Sequence, residues 1–106
     1  MQFINLTPHG IVVFMGEGRI SFAPTGAVAR VATQTVPAGT VGGIPCFKTA
    51  GGEVTGLPEQ HPLRMLIVSS MVRMACPERL DLVSPGELVR DENGRPVGCQ
   101  GLTING

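Results

Sequence analysis

The chain has 106 residues, 15 of them glycine and nine proline, and it contains neither Trp nor Tyr. Eight basic residues balance eight acidic ones, giving a formal net charge of zero. That balance removes the charge excess by which nucleic-acid polymers are held, and the missing Trp and Tyr remove most stacking platforms for single strands.

The length fits one domain over residues 1–106. No apolar run approaches the roughly 18–20 residues of a membrane span, so no membrane partner is expected. The opening Met1-Gln2-Phe3-Ile4-Asn5 has neither a basic nor a long apolar region, which predicts a chain without a secretory signal, resident in cytoplasm.

The elements follow in chain order. Ile11-Val12-Val13-Phe14-Met15 is a β-branched and aromatic run, closed by Gly16-Glu17-Gly18 and answered by Arg19-Ile20-Ser21-Phe22. This predicts a hairpin with a three-residue turn. Pro24-Thr25-Gly26 marks a further turn, and alternation from Val28 to Val36 predicts a strand. Cys46 to Thr49 and Glu53 to Thr55 flank Ala50-Gly51-Gly52, which predicts a second hairpin, with Pro45 placing its first strand at an edge. Leu63 to Val68 reads as an apolar strand. It runs into a short helix over 69–76, with serine as N-cap and Pro77 as stop. Glu87 to Asp91 and Arg95 to Cys99 flank Glu92-Asn93-Gly94, where Asn-Gly is a strong hairpin signal. The fold class expected is mainly β: a small antiparallel barrel or sandwich of about six to eight short strands with one short helix.

Cys46, Cys76 and Cys99 are odd in number and lack a CxxC pair, which argues against a disulfide framework and a zinc site. No cofactor is expected. Of the basic residues, all but Lys48 are arginine, whose planar fork suits phosphate and carboxylate groups. A GC-rich genome explains the same bias.

Four places offer chemistry, each with a plainer rival. Ser69 and Ser70 at the strand-to-helix junction offer hydroxyls and free N–H groups to an anion, or simply cap the helix. Val68 and Met71 flank them, where a nucleophile elbow has glycines. Asn5, Thr7 and His9 lie in the loop Asn5-Leu6-Thr7-Pro8-His9-Gly10, as ligand contacts or as satisfiers of local backbone groups. His61, beside Pro62, gives only weak support to a two-histidine metal site. Arg79, in Pro77-Glu78-Arg79-Leu80-Asp81, clamps a phosphate or pairs locally with a neighbouring acid. Arg30, mid-strand among small residues, belongs to a solvated face or a subunit contact.

The same residues carry a resemblance. Asn5-Leu6-Thr7-Pro8-His9, Pro24-Thr25-Gly26 with Ala29-Arg30-Val31, Gly56-Leu57-Pro58, Ile67-Val68-Ser69, Arg79-Leu80-Asp81 and Arg90-Asp91-Glu92-Asn93-Gly94 with Gly98-Cys99 together resemble a family of small bacteriophage and prophage proteins. The resemblance runs from about residue 3 to residue 102, with Thr25 where a serine is usual. It brings no catalytic motif, so no active-site residues transfer. It implies a setting, the cytoplasm of an infected bacterium.

Three functions fit that setting. One is a homo-oligomeric anti-defence protein that sequesters a small nucleotide immune signal, of the cyclic ADP-ribose or cyclic oligonucleotide type, without catalysis. Its pocket would lie between subunits. Ser69, Ser70 and Arg79 would meet the phosphates, Asn5, Thr7 and His9 a ribose or base, and Phe or Arg side chains would stack. A structural or accessory virion protein is the second. The third, an enzyme cleaving such a signal, is disfavoured by the lack of a paired carboxylate or a His–Cys or His–Asp spacing.

Overall fold

A computed structural model describes residues 1–106, Gly51 only as part of its strand. Eight strands and one helix follow in order: β1 (Gln2–Asn5), β2 (Ile11–Met15), β3 (Gly18–Phe22), β4 (Arg30–Val41), β5 (Ile44–Thr55), β6 (Arg64–Ile67), α1 (Ser70–Ala75), β7 (Leu82–Arg90) and β8 (Pro96–Ile104). The protein is mainly β, as the alternation and turn chemistry predict. Among the described residues no helix is long and apolar enough to cross a membrane.

Six strands form one sheet in the order β1-β6-β7-β8-β2-β3, and β4 pairs with β5 alone. Pairing in the large sheet is mixed and not purely antiparallel: β1 with β6, β6 with β7, and β2 with β8 are parallel. Parallel partners need long crossovers, and two of these carry the β4–β5 pair and α1. The sheet curls until its two edge strands approach each other. Phe3 of β1 and Phe22 of β3 meet with ring centroids 5.5 Å apart. The Asn5 side-chain amide donates to the Phe22 carbonyl at 3.0 Å. A side chain thus ties the seam between the two edges.

The apolar alternation of β6 and β7 explains the core. Leu66, Val68, Leu82 and Val72 of α1 are at most 1% exposed and pack with Leu6 and Ala29. Burying a side chain of this size stabilises the fold by roughly 1.5–3 kcal/mol. Val31 and Val54, at the base of β4 and β5, pack against the same cluster.

Beyond that base the β4–β5 ribbon departs from the sequence expectation. The turn predicted at Ala50-Gly51-Gly52 is not there; β5 runs without a break from Ile44 to Thr55. The reversal falls at Gly42-Gly43, with φ of 58° and 81°, between the paired Val41 and Ile44. Two consecutive left-handed residues are what a tight two-residue hairpin requires. Gly52 serves close approach: a Cβ there would lie 1.8 Å from the Ala32 carbonyl oxygen, at the irregularity between Val31 and Thr33. The first hairpin also turns more tightly than expected, with Gly16-Glu17 between the paired Met15 and Gly18.

Candidate functional site

Two adjoining hollows, of about 490 and 370 Å³, share His9, Ile11, Pro85 and Leu88 and form one open trough. Topology builds it. The parallel register Asn5↔Ile67 sets the loop after β1 beside the residues after β6. Thr7, Pro8 and His9 therefore meet Ser69 and Ser70 at one end. At the other end β2, β7 and β8 contribute Ile11, Val12, Pro85, Leu88, Pro96, Val97 and the buried Cys99. Both hollows are mostly apolar, with the Ser69 and Ser70 hydroxyls at one end and His9 where the two meet. Among the described residues its lining holds no carboxylate, lysine or arginine.

The six site residues expected from sequence divide into three groups. His9, Ser69 and Ser70 are exposed and line the trough, and His9 makes no side-chain hydrogen bond among the described residues. Asn5 and Thr7 are buried and build the loop that presents His9. The Asn5 amide donates to the His9 carbonyl at 2.8 Å, and Asn5 Oδ1 accepts the Thr7 N–H at 2.9 Å. The Thr7 hydroxyl is 2.6 Å from Asn5 Oδ1 and 2.9 Å from the His9 carbonyl, with one proton to donate between them. Thr25 closes the loop by donating to the Asn5 carbonyl at 3.1 Å.

Arg79 stands apart. It does not line the trough. Its Nε and one terminal nitrogen both donate to the Asp81 carboxylate at 2.8 Å, and the terminal nitrogen reaches the Pro58 carbonyl at 3.0 Å. The phosphate clamp expected at Arg79 gives way to the local ion pair, because Asp81 is buried and needs a cation. The Arg79 fork holds the Asp81 carboxyl below the usual carboxylate range, against the opposing pull of burial. Arg30 is exposed.

Ser69 is the N-cap of α1, and its hydroxyl accepts the Val72 N–H at 3.3 Å. With only six residues the helix supplies little dipole for an anion. Ser69→Ala should cost about 1 kcal/mol and lower the thermal midpoint by roughly 4–8 °C, with Ser69→Thr restoring most of it. A midpoint unchanged in Ser69→Ala would remove the capping role. The helix C-terminus is held by a residue the sequence did not flag. Asn105 lies with its amide nitrogen 3.0–3.2 Å from the Arg73, Cys76 and Arg79 carbonyls, and its oxygen accepts from Arg73.

The apolar lining of the trough was also not apparent from sequence. Leu88 is 54% and Val97 41% exposed, in strands that read as ordinary hairpin arms. Their one signal is apolar side chains at exposed positions of short strands. The chain matches no family model, no curated protein and no solved structure.

Proposed function

We propose that this chain is a non-catalytic binding module, working as a homo-oligomer, that sequesters a small nucleotide-type signal in its trough. In the phage setting implied by the resemblance, it acts as an anti-defence protein in the cytoplasm of the infected host. The observation that carries this reading is a mostly apolar trough with the Ser69 and Ser70 hydroxyls at one end and the His9 imidazole where its two hollows meet. A nucleoside offers an apolar base face and a few hydroxyls to match. Its base packs across Ile11, Leu88 and Val97, and its ribose hydroxyls meet Ser69, Ser70 and His9. One imidazole with no carboxylate beside it favours holding over cleaving.

Among the described residues the trough lining itself offers a phosphate no arginine or lysine. Arg19, Arg30, Arg90 and Arg95 are all exposed, so a second copy can bring the positive charge that the trough lacks. This is the physical reason for an assembly.

The test is calorimetry and native mass spectrometry on the full chain with cyclic ADP-ribose isomers and cyclic dinucleotides. The expected result is saturable binding to one of them, ligand recovered intact after heat denaturation, and a loss of affinity of about tenfold or more in Leu88→Glu. Recovery of a cleaved product would establish the enzyme reading instead, and no binding to any of these probes would overturn the nucleotide assignment.

The exposed β4–β5 ribbon favours a second reading, a structural or accessory virion protein, since such ribbons suit lateral assembly. Purified particles containing the protein in stoichiometric amounts would replace the cytoplasmic reading with this one.

A further inference from the structure

The ribbon of β4 and β5 is the least satisfied part of the molecule. Twelve residues per strand at about 3.3 Å each make an arm close to 40 Å long. Only its base packs on the core, through Val31 and Val54. The radius of gyration is 16.7 Å, against about 13 Å for a compact chain of this size. An isolated two-stranded ribbon is marginal in water, and here both edges are unpaired.

Its chemistry is wrong for a solvated arm. From Val31 to Phe47 there is no charged residue, although exposed edge strands are ordinarily protected by charges, lysine above all. Val41, Ile44 and Phe47 are 69, 67 and 62% exposed. The register places Val36, Val41, Ile44, Cys46 and Lys48 on one face and Pro37, Thr40, Pro45 and Phe47 on the other, so apolar side chains dominate both faces toward the tip.

We propose that this arm docks on the body of a second copy of the chain and is the surface through which the protein self-associates. The proposal rests on the self-association in the function given above and names its surface. Three observations point to a second copy. The chain is neutral and the outer part of the arm, Val31 to Phe47, carries no charge, so copies do not repel there and no charged partner is selected. The body carries exposed apolar side chains to receive it: Met71, Met74 and Leu80 are each more than half exposed. The area also closes. A ribbon about 40 Å by 10 Å covers roughly 400 Å² on each surface it joins, so reciprocal exchange of two arms buries roughly 1,600 Å² in total, the size of a standard stable interface. Reciprocity also ends the assembly, because each arm has one receiving surface.

Sedimentation equilibrium and native mass spectrometry on the full chain at micromolar concentration test the proposal. The comparison is with Val41→Lys/Ile44→Lys and, separately, Phe47→Lys. These side chains are exposed, so circular dichroism and the thermal midpoint of dilute protein should match wild type. The expected result is an oligomeric wild type and a self-association weakened about tenfold or more in both variants, with Glu53→Lys, exposed at the base of the arm, as the control. An oligomer indifferent to all three substitutions overturns the arm assignment and leaves self-association standing. A monomeric wild type overturns both. Ligand titration on the same variants reports the trough separately, so failure there is not confused with failure of the arm.

Discussion

Replacing Asn5 by leucine is expected to lower stability by about 3 kcal/mol and the thermal midpoint by roughly 10–20 °C. The residue is 2% exposed, and its amide joins its own loop to the end of β3. It donates to the His9 and Phe22 carbonyls at 2.8 and 3.0 Å and accepts from the Thr7 N–H and hydroxyl. Leucine has the same branched skeleton but is bulkier, so the polar groups lose their partner and the buried site is also somewhat overpacked. The link to Phe22 has a further consequence. It bridges β1 and β3, the two edges of the curled sheet, where no backbone ladder closes the seam. Loss of that bridge frees the loop carrying His9, so amide hydrogen exchange should accelerate in residues 5–10 and in the last residues of β3.

Asn5→Asp separates the polar requirement from size. A carboxylate presents no donor to the His9 and Phe22 carbonyls and crowds them with negative charge. This variant should be less stable than Asn5→Ser at neutral pH and should gain ground on acidification as the carboxyl takes up a proton. A thermal midpoint within two or three degrees of wild type in Asn5→Leu would show that the seam is held by the Phe3–Phe22 contact and not by the amide.

The parts of the structure legible in the sequence are those fixed by neighbours in the chain. Asp91-Glu92-Asn93-Gly94-Arg95 reads as a hairpin and is one. Asp91 Oδ1 accepts the Asn93 and Arg95 N–H groups at 2.9 Å, and Gly94 takes the left-handed conformation with φ 78°. Ser69 as a cap and the Asn5–Thr7 exchange are legible for the same reason. β1 is not, because four residues carry no periodicity and its partner β6 lies about sixty residues away. The trough depends on that distant pairing: His9 and Ser69 look unrelated until Asn5 is set opposite Ile67. The arm was misread through glycine, which marks a turn at Gly42-Gly43 and a close backbone approach at Gly52, and sequence does not separate the two uses. Arg79 left two readings open, a local ion pair and a phosphate clamp. Depth decides between them, since Asp81 is 3% exposed and an isolated buried carboxylate is costly.

Arg79→Ala should therefore behave as a stability variant and not as a binding variant. It leaves the Asp81 carboxylate, 4% exposed at its side chain, without the two donors 2.8 Å away and with only the more distant charge of Arg64 in compensation. Removing one partner of such a pair costs about 3–5 kcal/mol, and the pair's own surface exposure, 21% on the arginine side, points to the lower end. The pH dependence fixes the cause. In the wild type the folded-state pKa of Asp81 is depressed by the Arg79 hydrogen bonds. Its contribution is therefore present above the unfolded value, about 3.9, and is lost as pH falls through the lower folded value. In Arg79→Ala the largest cause holding the Asp81 pKa down is gone, and burial is opposed only by the Arg64 charge and a backbone hydrogen bond. The Asp81 pKa therefore rises relative to wild type, and the penalty is fullest at neutral pH and fades on acidification. The stability gap between the two proteins, measured by urea denaturation, should be widest near pH 7 and should narrow steadily below about pH 4. Arg79→Lys, which keeps the charge and loses the fork, should fall between them. A gap that does not change with pH would mean that the arginine acts by packing alone. A loss of nucleotide affinity in Arg79→Ala at a temperature where the variant is fully folded would return this residue to the binding site.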